Sequence, residues 1–304
     1  MHWTVSDIPP QYGRTAVVTG TGGLGFQNAL ALAKVGADVI IAGRDSSKGA
    51  AAVDQIRQQV PFARVTFEVL DLAALSSIKA FCHRLRDSRD GLDLLVNNAA
   101  VMAPPKRRVT SDGFELQFGT NYLGHFALTG LLLPLLRQGN NPRVVTLSSV
   151  AARSGAIHFD DLQSEHHYQP MVAYGQSKLA CLMFAFELQR LSNAASWGIQ
   201  SMAAHPGISR TDLLPNGAGA RSAAAMARRY LWFLFQPADQ GALPTLFAAT
   251  SPQAQGGHYY GPDKLSETRG YPTLARIPPQ ALETANAAKL WRLSEELTGV
   301  SYER

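Results

Sequence analysis

The feature that most constrains this chain is an alternation of two textures. Short apolar or β-branched runs occur at 15–18, 37–42, 64–70, 92–96, 143–147 and 199–204, and amphipathic stretches of helical length separate them. Strands that are apolar almost throughout are covered on both faces, and a helix between consecutive strands makes each link a crossover between parallel neighbours. The pattern predicts an α/β fold: one doubly wound, mostly parallel central sheet with helices on both faces. No internal repeat and no Pro/Gly/Ser-rich linker divides the 304 residues, so one domain is expected over 1–304, with halves at roughly 13–150 and 151–304. After 205 the alternation lapses. Residues 210–238 read as irregular and then apolar around 230–235, the place for a small helical cover, before a last short strand near 258–260.

Composition narrows the class. Hydrophobic residues make up 46% of the chain and charged ones 17%, too apolar for a disordered polymer. No run of about 18 uncharged apolar residues occurs, and the first 13 residues lack the apolar stretch of a secretory signal. Cys82 and Cys181 stand far apart in apolar helical text, which offers neither a disulfide framework nor a metal clip and fits the cytoplasm. A net charge of +5 is mild and scattered, which suits an anionic small ligand and speaks against nucleic acid.

In a doubly wound sheet the ligand lies beyond the carboxyl ends of the strands, so those positions carry the functional reading. After the first run come Gly20-Thr21-Gly22-Gly23-Leu24-Gly25, with Gly20, Gly22 and Gly25 in G-x-G-x-x-G spacing and a helix opening at once. Such glycines let backbone N–H groups approach a pyrophosphate at a helix N-terminus, the signature of a Rossmann domain. A tight turn without ligand has the same spacing. After the second run stands Arg44, where a carboxylate would select the free ribose 2′-OH of NAD. A guanidinium there pairs with a 2′-phosphate, which argues for NADP(H) with NAD(H) as the lesser choice, although Asp45 follows and can partly neutralise it. Asp71-Leu72 follows the third run and offers a carboxylate and an N–H near an adenine, or a helix cap. Asn97-Asn98-Ala99-Ala100 ends the fourth run and Ser148-Ser149 the fifth. Tyr174 and Lys178, four residues apart, share one helix face. A cation beside a phenol lowers its pKa from about 10 and makes it a general acid/base.

These residues together resemble the short-chain dehydrogenase/reductase family from Gly13 to about Thr298, with Pro206-Gly207 and Thr211 completing the pattern. Asn121 in 120–126, the 157–162 segment and 295–300 make the chain most similar to retinol dehydrogenase-like and protochlorophyllide-reductase-like members. The resemblance implies Tyr174 as general acid/base and Lys178 as the group that tunes it and binds the nicotinamide ribose. It further implies Ser149 as the holder of the substrate oxygen and Asn121 as the residue that positions a relay water. Cofactor contacts are implied at Gly20, Thr21, Gly22, Gly23, Leu24, Gly25, Arg44, Asp71, Leu72, Asn98, Ala99, Ala100, Tyr174, Lys178, Pro206, Gly207 and Thr211. The chain departs from the family in two places. Two residues instead of three separate Gly20 from Gly23, so the NADP preference rests mainly on Arg44, and Ala100 stands where glycine is usual.

The implied activity is NADP(H)-dependent interconversion of a ketone or aldehyde and its alcohol. The aromatic run 230–235 points to a bulky apolar substrate, and also fits helix core, a subunit contact or weak peripheral membrane contact. A nucleotide-binding redox sensor without turnover and a C=C reductase are the alternatives. A hydrolase is disfavoured because no G-x-S-x-G elbow follows a strand, and the eight histidines lack metal-ligand spacing. The resemblance leaves the oligomeric state open, with a homodimer or homotetramer among the options because related enzymes often pair through the tyrosine-bearing helix.

Overall fold

The computed structural model describes residues 2–209 and 236–302. Strands and helices alternate as β1 (Thr15–Thr19), α1 (Gly23–Lys34), β2 (Asp38–Gly43), α2 (Ser46–Gln59), β3 (Val65–Val69), α3 (Leu75–Ser88), β4 (Leu94–Asn97), α4 (Gly124–Gln138), β5 (Arg143–Leu147), α5 (Pro170–Ala194) and β6 (Gln200–Ala204). After the undescribed stretch come α6 (Ala238–Thr250), β7 (Tyr259–Lys264), β8 (Arg269–Leu274) and α7 (Thr284–Thr298). The strands form one eight-stranded sheet in the order β3-β2-β1-β4-β5-β6-β7-β8, parallel except for the antiparallel β7–β8 pair. All six sequence-expected runs are strands. The strand order reverses direction between β1 and β4, which opens a crevice at the carboxyl edge of the sheet.

Alternate residues of each central strand serve two separate cores, as the two-residue period of a strand requires. Val17, Leu95 and Val144 join a layer with Phe81, Phe126, Phe184 and Trp291 from α3, α4, α5 and α7. Ala16, Val18, Leu94 and Val145 join the opposite layer with Leu32, Ile56 and Phe247 from α1, α2 and α6. α5 is apolar on nearly all sides and starts with Pro170 at its first turn, a position where the missing N–H is no loss.

The strand beyond β7 was not legible in the sequence. β8 carries Gly270 and Pro272, which read as turn text, yet Pro262 faces Pro272 across an edge pair, where a missing N–H is tolerated. The turn joining β7 to β8 is unusual in a second way. Leu265, Ser266 and Glu267 all have left-handed backbones, with φ of 48°, 55° and 65°, and none is glycine. The turn closes with Thr268 N–H donating to Lys264 O at 3.1 Å. Of the cover expected within 210–238, residues 210–235 lie outside the described residues.

Candidate active site

The glycine loop is shaped by close approach. Gly20 has φ of 100° and donates its N–H to Ala42 O at 2.7 Å, which ties the loop to the end of β2. A Cβ on Gly25 would lie 2.4 Å from Gly20 O and 2.7 Å from Asn98 Nδ2, so the start of α1 reaches the loop only with glycine there. Gly22 is the N-cap of α1 and offers no capping side chain, and a Cβ on it would meet nothing within 4 Å. A helix N-terminus without a side-chain cap, opening on free space, fits a pyrophosphate. The loop is one residue short, yet its N-cap at Gly22 stays uncapped and open.

Arg44 is exposed immediately after β2, and the Thr21 methyl packs toward Gly43 beside it. Asp45 caps α2 by accepting the Lys48 N–H at 3.0 Å, so its carboxylate is engaged with the helix. Asp71 also has structural work: Oδ1 accepts the Ala73 N–H at 3.0 Å, and its own N–H donates to Ser77 Oγ at 2.9 Å. Leu72 is buried, and Gly124 at the start of α4 packs against its carbonyl.

A hydrogen-bond chain joins β1, the β4 turn and α4. Thr19 Oγ1 accepts the N–H groups of Asn98 and Ala99 at 2.8 and 2.9 Å and lies 2.9 Å from His125 Nε2. His125 Nδ1 is 2.8 Å from Asn121 O, an atom that can only accept, so Nδ1 carries the proton. Burial holds the His125 pKa down to about 4, so Nε2 is bare and Thr19 donates to it. Ala100, next along the same turn, is half-buried.

Asn121 lies in a π-helical turn, Phe118–Leu123, that leads into α4. Its amide is fully engaged: Oδ1 accepts the Val101 N–H at 2.8 Å, and Nδ2 donates to Val101 O and to Ser177 Oγ, each at 3.0 Å. Ser177 in turn donates to Tyr174 O at 2.8 Å. The Asn121 carbonyl receives Cys181 Sγ at 3.2 Å as well as His125. Asn121 thus pins the β4 turn to the backbone of Tyr174.

Tyr174 and Lys178 lie on one face of α5, both buried. Gly155 meets Gly175 so closely that a Cβ on Gly155 would lie 2.5 Å from Gly175 O, which seats the turn after β5 against this part of α5. The two serines separate by role. Ser148 is buried and donates to Lys178 O at 2.7 Å, whereas Ser149 caps the Val150–Ser154 turn and its hydroxyl faces the Tyr174 phenol. Lys178 Nζ donates to Leu147 O at 2.9 Å and sits 6.0 Å from the centre of the Tyr174 ring. Among the described residues that carbonyl is the one acceptor its three N–H bonds find, which leaves it able to hold a ribose hydroxyl. In this arrangement burial, rather than the ammonium, dominates the shift of the phenol. Burial pushes the Tyr174 pKa up to about 12, with Ser149 as the opposing influence, and burial lowers that of Lys178 itself.

Pro206 and Gly207 follow β6. Pro206 O accepts Ser209 Oγ at 2.8 Å, and Gly207, with φ of 64°, packs on Thr268 O where a Cβ would lie 2.3 Å away. Thr211 lies outside the described residues. Sequence reasoning missed Thr19, His125, Ser177, Cys181, His205 and Tyr259 as partners of the site. Their signal is tertiary. Among the described residues no cluster of three metal-ligating side chains occurs.

A dinucleotide cradle, a serine–tyrosine pair and a buried lysine at the carboxyl edge of a parallel sheet define an oxidoreductase of the nicotinamide-dependent class. The model of the short chain dehydrogenase family matches residues 14–218, and the chain belongs to that family, acting on CH–OH and C=O groups. It is 38% identical to a polyprenol dehydrogenase of Homo sapiens over 96% of this chain and 87% of that protein. It is 39% identical to retinol dehydrogenase 13 of Mus musculus over 95% and 85%. Among solved structures, a putative uncharacterized protein from Mycobacterium paratuberculosis is 40% identical with a TM-score of 0.83, all of both chains being covered. A Pseudomonas aeruginosa RhlG/NADP complex, 22% identical with a TM-score of 0.65 over 85% of this chain and 96% of that one, shares the fold.

Proposed function

We propose that this chain interconverts a bulky apolar aldehyde or ketone and its alcohol using NADP(H). The observation that carries the reading is the Tyr174 phenol facing the Ser149 hydroxyl, one helical turn from Lys178, beside an open glycine cradle. Bound nicotinamide would supply the hydride. The chain's own groups handle the proton and the geometry. A phenol with a pKa near 12 is protonated at neutral pH, so Tyr174 is set to donate to a carbonyl oxygen that Ser149 holds. In the reverse direction the same phenol must first lose its proton, so alcohol oxidation rises with pH. Lys178 holds the ribose, and Asn121 keeps the β4 turn and Tyr174 in register.

Preference for NADP(H) rests on Arg44, whose neighbour Asp45 is committed to capping α2. The substrate class rests on the names of the similar proteins, polyprenol and retinol dehydrogenases, and on the aromatic run 230–235 outside the described residues. Two unpaired buried cysteines accord with a cytoplasmic location. Among the described residues no helix is long and apolar enough to cross a membrane.

The test is turnover of retinal with NADPH and NADH by wild type, Tyr174→Phe and Arg44→Ala. Tyr174→Phe is expected to lose on the order of 10² to 10⁴ in kcat while still binding NADPH. Arg44→Ala is expected to lose NADPH affinity and keep that for NADH. NADPH binding without turnover of any bulky carbonyl would favour the redox sensor.

A further inference from the structure

The strained β7–β8 turn delivers a carboxylate to the site from a part of the chain that the proposed chemistry does not use. Glu267 Oε2 lies 2.9 Å from His205 Nε2 and 2.6 Å from Arg153 Nη2, and Oε1 accepts the Arg276 N–H at 2.9 Å. His205 is fully buried at the end of β6. Its Nδ1 accepts the Gly207 N–H at 3.2 Å, so in the neutral ring the proton is on Nε2 and points at Glu267. Arg153 belongs to the turn that Ser149 caps, and its Nη1 also donates to Ser266 O at 3.2 Å.

One carboxylate therefore joins the two walls of the site. The turn carrying Ser149 approaches it through Arg153, and the Pro206–Gly207 segment approaches it through His205. The same hairpin holds that second wall by its backbone, since Ile208 N–H donates to Thr268 O at 2.8 Å. Tyr259 of β7 closes the gap between the walls. Its ring packs 5.1 Å from His205, and its hydroxyl donates to Ser149 O at 3.4 Å. Three consecutive left-handed residues without glycine persist only where the surroundings over-determine them, and such strain concentrates at functional sites.

We propose that Glu267 is a positioning residue of this active site, setting the separation between the Ser149 turn and the Pro206–Gly207 segment through Arg153 and His205. It acts through these two side chains. The inference rests on the proposed function in taking these two walls as the substrate and nicotinamide sides. Misplacement of reacting groups by about an ångström lowers the rate of the chemical step far more than binding, so the effect falls on kcat and on the nicotinamide environment.

The experiment compares wild type, Glu267→Gln, Arg153→Gln, the double variant and Tyr174→Phe. Three quantities are read: NADPH affinity, the emission enhancement of bound NADPH, and turnover of retinal. Glu267→Gln is expected to lose most of the emission enhancement and about tenfold or more in kcat, with NADPH affinity within about threefold and a melting temperature that falls only slightly and stays well above that of the assay. The double variant is expected to be no worse than the poorer single one, because both act through one contact. Tyr174→Phe is expected to keep the emission enhancement and lose turnover. If Tyr174→Phe retains turnover, the proposed chemistry fails, while the emission of Glu267→Gln still judges the positioning role. Retained emission and kcat in Glu267→Gln, a loss that merely follows a melting temperature fallen to that of the assay, or additive losses in the double variant would each overturn the proposal, as would a wild type that does not bind NADPH.

Discussion

Gly22 and Gly25 sit three residues apart at the start of α1 and face opposite demands. At Gly25 any side chain would press on backbone, with Gly20 O at 2.4 Å, whereas at Gly22 the space is open. Gly25→Ala is therefore expected to weaken NADPH binding at least tenfold and to destabilise the fold by about 1–3 kcal/mol, the usual range for overpacking. Gly22→Ala is expected to fold as wild type, so any loss of nucleotide affinity there reports the phosphate site itself. Isothermal titration with NADPH and urea unfolding of both variants separate the two. The same distinction governs Ser148 and Ser149, identical in the sequence and adjacent in the chain. One hydroxyl turns down to Lys178 O and the other up to Tyr174, because successive residues beyond a strand point to opposite sides.

At the scale of elements, the β7–β8 turn stores strain. Each left-handed residue other than glycine costs about 1–2 kcal/mol, and Leu265 is exposed with no part in the contacts to Arg153 or His205. Leu265→Gly should raise stability by about 1 kcal/mol once the extra freedom of glycine in the unfolded chain is subtracted. Urea midpoints of the two proteins check this, and an unchanged or lower midpoint would mean that the turn is not strained at this residue. The first six strands and the helices after them were legible because each carries its own period: apolar runs for strands, amphipathic runs for helices. β8 and the turn before it were not. Their pairing is an edge pairing assisted by the hairpin geometry, and Gly270, Pro272 and the run 263–269 carry no strand period of their own.

Across the whole molecule, burial of histidines links stability to pH. Burial lowers the pKa of His125 to about 4 from an unfolded value near 6.5, and that of His205 falls for the same reason despite Glu267. Between these values the unfolded chain binds protons that the folded chain refuses, so stability falls as pH drops below about 6.5. His125 alone accounts for a loss of about 3 kcal/mol by pH 4. Glu267, held below the usual carboxylate range by His205, the Arg276 N–H and Arg153 against its burial, loses its contribution in the same direction at lower pH. Urea unfolding at pH 7 and pH 4.5 should show the drop, and His125→Gln should lessen it. An equal drop in that variant would place the linkage elsewhere.

The doubly wound class, the glycine spacing and the Tyr174–Lys178 pair are local patterns, each confined to a strand end or one helix turn and legible by period and spacing, whereas the choice of Ser149 over Ser148 came from the family resemblance. Asn121 was also visible, though not its use: only the packed α4 and α5 show its amide spent on Val101 and Ser177. The rest depended on groups far apart in the chain meeting across the sheet edge. Thr19 meets His125, and Arg153 and His205 meet Glu267, over separations of 106, 114 and 62 residues. No local period encodes such pairs. Their protonation states are likewise set by burial, and burial exists only once both faces of the sheet are covered.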